Sequence, residues 1–224
     1  MQTVARVHSV NVGQPQTRQR RLTNGKMASY VTAIHKQPIA GPVFVGLRGL
    51  SGDVQADTIH HGGPDKAVHI HFRQHLQWLS MLAGRPVQPG EIGENLTLAA
   101  ISTEAAEPAE GDFCIGDVLA VGGTVLQVTQ PRIPCFKQAE QTQQRDLVER
   151  IVTSGRTGLH LRVLTEGVLQ AGDSVQLIER PQPAWSLARV HRMIHGTSTP
   201  EERATLGTIP ELGEELRRRF ISAQ

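Results

Sequence analysis

Between Gln130 and Phe136 the chain reads QPRIPCF, and it spends one of its only two cysteines there. Pro131 and Pro134 fix their own φ and push Gln130 and Ile133 toward extended geometry, and neither can donate to a sheet. The segment therefore reads as a stiff loop ending a strand, with the Cys135 thiol and the Arg132 guanidinium held close together. A thiolate is the reactive and metal-binding form of cysteine, and nearby cations such as Arg132 and Lys137 favour it. The same residues also admit a plain structural cysteine beside Phe136. Cys114, in DFCIGD, has apolar neighbours and no adjacent cation, and reads as core.

A second chemical stretch is HHGGPDKAV (60–68). Gly62-Gly63-Pro64 demands a tight turn whose freed N–H groups can face an anion, with His61 and Lys66 flanking it; equally, it can be a simple turn into a strand. In GEIGENLTL (90–98), Asn95 can bond a polar ligand or close a turn. Five of the ten histidines cluster at 60, 61, 69, 71 and 75. His69 and His71 share a strand face at a spacing used by β-sheet metal pairs, but no acidic ligand follows at a telling interval, so polar packing or a ligand-pocket wall is the stronger reading. Walker, GxGxxG, HExxH and GxSxG motifs are absent. The basic run RQRR (18–21) reads as a solvated loop.

The elements around these stretches are mostly β. TGLHLRVL (157–164) and AVHIHF (67–72) alternate at period two, and TVLQVT (124–129) is β-branched and apolar. IGDVLAV (115–121) and AGDSVQLI (171–178) each pass through Gly-Asp into a strand, a composition suited to a corner. Helices are expected at 73–83, stopping at Gly84, and at 138–154, stopping before Gly155. After Pro183 the chain turns helical in three pieces. These start near Trp185, at the capping box Thr199–Glu202, and at a second box opening on Thr208. A bundle of about 40 residues is marginal alone and needs the β domain or a partner to pack on.

The chain has 224 residues, 38% apolar content and a formal net charge of +2. That composition suits a globular protein and gives no footprint for nucleic acid or membrane partners. No secretory h-region or membrane-length apolar run is seen, so a cytoplasmic location with free thiols is expected.

Together these stretches resemble MOSC-domain proteins, named for the C-terminal domain of molybdenum-cofactor sulfurases, in the bacterial stand-alone, YiiM-like branch with a three-helix tail. The matching segments are TAIHKQPI, GLSGDVQAD, HHGGPDKAVHIHF, IGENLT, IGD and QPRIPC. His71-Phe72 departs from an aromatic-Pro pair frequent at that place. The resemblance implies a mainly β, α+β fold: a barrel-like domain over 1–182 and a helical tail over 183–224. It implies a molybdopterin-bound molybdenum held by Cys135. Lys36, His61, Lys66, Asn95 and Arg132 are the matching cofactor-binding positions, with His61 or Asp65 assisting with protons. The implied activity is reduction of N-hydroxylated compounds: purine bases, amidoximes and hydroxylamines. A persulfide sulfur carrier or a non-enzymatic cofactor carrier are the alternatives. With two cysteines and no dinucleotide fingerprint, no iron–sulfur cluster, flavin or NAD is expected on the chain. The electrons would then come from a separate flavin- or iron–sulfur-containing reductase.

Overall fold

The alternating segments become a ring of strands in the computed structural model, which describes residues 1–57, 62–196 and 198–221. The strands are β1 (Gln2–Val12), β2 (Gln16–Arg21), β3 (Met27–Thr32), β4 (Gln37–Pro38), β5 (Val43–Gly46), β6 (Gly49–Leu50), β7 (Val68–Phe72), β8 (Leu96–Ala99), β9 (Val118–Val121), β10 (Thr124–Pro131), β11 (Leu159–Thr165), β12 (Gly167–Leu169) and β13 (Ser174–Glu179). The helices are α1 (Arg73–Ala83), α2 (Phe136–Thr142), α3 (Leu147–Ser154), α4 (Leu187–Ile194), α5 (Pro200–Gly207) and α6 (Glu214–Ile221).

The principal sheet runs β13-β9-β10-β11-β7-β8-β1, and β1 pairs back onto β13, which closes a barrel. Closure leaves those strands no open edge. Neighbours are antiparallel except β7 and β8, which run parallel. Val68, Ile70 and Phe72 of β7 join Leu96, Leu98, Leu119, Leu126 and Leu161 in the core. Each such side chain contributes about 1.5–3 kcal/mol on burial. The two Gly-Asp corners share one geometry. Asp117 accepts the Cys114 N–H at 2.9 Å, and Asp173 accepts the Gln170 N–H at 2.8 Å. The strands they open, β9 and β13, pair with each other.

Three sequence expectations need correction. Residues 138–154 form two helices, because Gln143 takes a left-handed φ of 58° and ends α2. The run 18–21 is not a solvated loop but strand β2, paired along its length with β3. Thr208 does not start the last helix. It closes α5, its hydroxyl donating to the Thr205 carbonyl at 2.7 Å, and α6 begins only at Glu214. The Thr199–Glu202 capping box is present as read.

The tail packs on the barrel: Leu187, Val190, Leu206, Leu212, Leu216 and Phe220 lie in the same apolar cluster as the barrel core. A smaller cluster joins Leu76 and Leu79 of α1 to Leu147 and Ile151 of α3. Among the described residues, no helix is long and apolar enough to cross a membrane.

Candidate functional site: the Cys135 cleft

Strand β10 ends at Pro131, and the Arg132 N–H then bonds the Gly158 carbonyl at 3.1 Å. The chain stays extended to Cys135 (φ −141°, ψ 164°), which sits immediately before α2. Cys135 is half-buried and a free thiol. The Arg132 guanidinium reaches it, with Nη2 3.8 Å from Sγ. That guanidinium is buried and held by the Gln138 carboxamide and the Ile133 carbonyl. Proline stiffness at 131 and 134 thus has a visible result: sulfur and cation are fixed relative to each other before any ligand arrives.

Four distant segments converge on this sulfur. Lys36, Lys66, Asn95, Arg132 and Cys135, all singled out in the sequence, line one cleft. Lys36 ion-pairs with Asp53, and both side chains are more than nine-tenths buried. Asn95 is a scaffold residue within the wall. Its Oδ1 accepts the His69 N–H at 3.0 Å, and its Nδ2 donates to Asp53 Oδ2 at 2.8 Å. Asp53 also accepts the Gly13 N–H at 2.8 Å, so it sets Lys36, Asn95 and the end of β1 together. Sequence reasoning assigned Asp53 no role, although it lies in the GLSGDVQAD stretch. Lys137 adds a further cation to the lining, and Asp57 a further acid.

Asp65 is a correction. It does not line the cleft. Its Oδ1 accepts Arg162 Nε at 2.9 Å, and its Oδ2 accepts the Glu214 N–H at 2.8 Å. The carboxylate is therefore committed to tying the Pro64–Lys66 turn to β11 and to the start of α6, rather than poised for proton transfer. His61 lies outside the described residues.

His69, His71 and His75 form a buried row, with the half-buried His160 beside it. His69 and His160 line the cleft and stack at 5.1 Å, His69 and His71 lie 6.0 Å apart, and His71 and His75 5.0 Å. Burial, then the neighbouring His160, pushes His69 well below the usual imidazole range. Burial holds His75 at about 3. His69, His71 and His75 are therefore neutral at pH 7, and among the described residues the His69 Nε2 has no hydrogen-bond partner. No group of three His, Cys, Asp or Glu side chains is arranged to hold a metal ion among the described residues.

The chemistry of the cleft fits a molybdopterin-bound metal. A half-buried thiol offers one soft ligand, which must be deprotonated to serve. Among the described residues Lys36, Lys66, Arg132 and Lys137 line it beside Asp53 and Asp57, cationic donors of the kind a phosphate-bearing group uses, with Lys36 also paired to Asp53 and Lys66 to Glu215. The orphaned His69 Nε2 is a buried polar atom that a bound ligand or water would satisfy.

Residues 57–176 match the MOSC domain, more than half of the chain. The chain belongs to the MOSC-domain family. It is 30% identical to protein YiiM of Escherichia coli over 164 residues, 70% of each chain. A protein of Gibberella moniliformis named a reductase is 37% identical over 187 residues, 80% of this chain but 31% of that one. The crystal structure of YiiM from Geobacillus stearothermophilus superposes with a TM-score of 0.78 at 30% identity, covering 98% of both chains. The barrel and helical tail are therefore those of a YiiM-like MOSC protein, and the family ties the chain to the molybdenum cofactor.

Proposed function

We propose that this protein is a molybdenum-cofactor-dependent reductase of N-hydroxylated compounds, with N-hydroxylated purine bases, amidoximes and hydroxylamines as substrates. The observation that carries the reading is the Cys135 sulfur, 3.8 Å from a buried guanidinium and facing a cleft walled by lysines from separate segments. When bound, the molybdenum centre supplies two-electron oxygen removal. Overall, one N–OH group, two electrons and two protons give an amine and water. Cys135 is the thiolate ligand. Arg132, Lys36 and Lys66 hold the anionic part of the cofactor, Arg132 and Lys66 by charge-assisted bonds. Asp53 and Asn95 keep that wall in place from behind. The neutral His69 ring, with His160 stacked on it, lines the same cleft.

The electrons come from a separate donor. One of the two cysteines faces the cleft, and the other, Cys114, is 3% exposed with its thiol on the Pro183 carbonyl at 3.6 Å. The reductase of Gibberella supports this reading by its name, and the 69% of its length outside the match leaves room for a donor module.

The test supplies molybdenum-loaded protein with an N-hydroxylated purine, first with a reduced viologen and then with NADH alone. Amine formation with viologen and none with NADH is expected. Turnover with NADH and no added protein would overturn the external donor. No turnover with either donor would overturn the reductase reading and leave the carrier functions.

A further inference from the structure

We propose that Gln138 is the positioning residue for the cationic corner of the cleft: its neutral carboxamide turns the Arg132 guanidinium onto the Cys135 sulfur and leaves the charge free for an anionic ligand. The inference deepens the proposed function and rests on reading Cys135 as the ligand of an anion-bearing cofactor. Gln138 lies just past the QPRIPC stretch and belongs to no motif.

Three contacts close a ring through this residue. The Gln138 N–H, on the first turn of α2, donates to the Cys135 carbonyl at 3.1 Å. The Gln138 Oε1 accepts Arg132 Nη1. Arg132 Nη2 in turn reaches Cys135 Sγ at 3.8 Å. A guanidinium is planar, so fixing one amino group sets the direction of the other. The Ile133 carbonyl also takes Nη1, at 3.3 Å, but it belongs to the adjoining residue and moves with the same loop. Gln138 is the acceptor mounted on a helix. It is 1% exposed, and the Thr142 hydroxyl donates to its carbonyl at 2.9 Å.

The kind of acceptor matters as much as its place. Among the described residues, Lys36 and Arg132 are the buried lysine and arginine of the cleft wall. Lys36 ion-pairs with Asp53. Arg132 instead has a carboxamide, a carbonyl and a sulfur as its partners, and among the described residues no carboxylate pairs with it. A buried cation is destabilising unless an anion compensates it. A glutamate at 138 would supply that anion from the same turn of α2, and the chain carries the neutral residue of the same shape. The guanidinium is thus aimed but not neutralised, and its charge falls on the sulfur and on whatever anion sits beside it.

The alternative is that Gln138 is only a satisfied polar group filling the space beneath α2. Cofactor-free protein from a molybdopterin-deficient host separates the two accounts. Cys135 is alkylated at low salt with iodoacetate, an anion, and with iodoacetamide, its neutral counterpart, and peptide mapping gives the two rates. Both reagents consume the thiolate, so the ratio of the rates reads the local charge and not the amount of thiolate. The variants are Arg132→Ala, Gln138→Glu, Gln138→Met and Thr142→Val, the last loosening α2 without touching the carboxamide. Each is also purified from a molybdopterin-competent host. Bound molybdopterin per chain is then read by fluorescence after oxidative release, and the melting temperature is recorded.

Arg132→Ala should lower the iodoacetate-to-iodoacetamide ratio about fivefold, the effect of one close charge even at the dielectric of water. Gln138→Glu keeps the contact but neutralises the cation, and should lower the ratio as far. Gln138→Met keeps the length but not the acceptor, and should lower it at least about twofold. Thr142→Val should lower the melting temperature and keep the ratio. Molybdopterin per chain should fall with the ratio, with affinity down about tenfold in Arg132→Ala. A wild-type ratio in either Gln138 variant, with loss in Arg132→Ala, overturns the role of Gln138. A ratio that also falls in Thr142→Val and tracks the melting temperature across the variants overturns it in favour of simple packing. A wild-type ratio in Arg132→Ala takes the guanidinium out of the field at the sulfur and overturns the inference at its root. Ratios that fall as expected, beside full molybdopterin in every variant, uphold the assignment of Gln138 and overturn the reading of the cleft as the cofactor site.

Discussion

Cys114 and Cys135 lie 21 residues apart on either side of the β9–β10 hairpin, yet the fold treats them in opposite ways. Cys114 is 3% exposed, its thiol pushed up first by burial and then by Asp117 against the opposing Arg180. Its N–H goes to Asp117, and Asp117 is gripped by Arg180 through bonds of 2.8 and 2.7 Å. Around Cys135, among the described residues, four cations and two acids line one cleft, and the buried His69 Nε2 is left without a hydrogen-bond partner. A satisfied polar network specifies a structure, whereas an unsatisfied one marks a place where something binds.

The contrast should appear first as reactivity. Iodoacetamide should alkylate Cys135 in the folded protein roughly a hundredfold faster or more than Cys114, since alkylation needs an accessible thiolate. Peptide mass mapping gives both rates. Equal rates would remove the distinction on which the site assignment stands.

Substitution at the satisfied end should cost stability and spare the cleft. Asp117 is fully buried, so Asp117→Ala strands the Cys114 N–H, while Arg180, one-third exposed, keeps the Asp112 carbonyl and water. A loss of about 1–3 kcal/mol in urea unfolding is expected, with unchanged cofactor per folded chain. Parallel loss of cofactor would mean that the two ends are not independent.

A third effect comes from Glu94, beside the cleft residue Asn95. It is fully buried. Its Oε1 accepts the Gly90 N–H at 2.7 Å and the Thr97 hydroxyl at 3.1 Å, and its Oε2 has no partner among the described residues. Burial raises its carboxyl from 4.5 to about 7. Above pH 4.5 the unfolded chain releases this proton while the folded chain keeps it. Stability is then lost as pH rises from about 4.5 to about 7 and is level with respect to this group beyond that, a change of roughly 3 kcal/mol. Glu94→Gln should flatten that slope in urea melts at pH 5 and pH 7.5. An unaltered slope would show that Glu94 is ionised in the fold.

The smallest effect belongs to Arg132→Ala. It should leave the melting temperature within a few degrees and weaken cofactor retention about tenfold, the worth of one charge-assisted contact. Unchanged cofactor in a folded variant would take Arg132 out of the site.

Much of the barrel was readable because its signals are local. AVHIHF and TGLHLRVL carry period-two alternation, and they became the paired strands β7 and β11. Strand β2 was not readable, because QTRQRR has no apolar alternation and faces its partner strand with polar side chains on an exposed hairpin. The break at Gln143 was hidden for a similar reason: a polar residue in the left-handed region carries no glycine or proline signal. At the site, Cys135 and Arg132 were legible as neighbours in sequence. Asp65 was misread, because its partners Arg162 and Glu214 come from β11 and α6, and only the tertiary fold commits its carboxylate to them. Asp53 was missed on the same ground, since Gly13, Lys36 and Asn95 meet on it from three separate segments.

The most direct measurement is molybdenum per chain, by elemental mass spectrometry, in wild type, Cys135→Ser and Cys114→Ser purified from a molybdenum-competent host and desalted. The account predicts close to one molybdenum in wild type and in folded Cys114→Ser, and almost none in Cys135→Ser. Equal molybdenum in the two variants would contradict it.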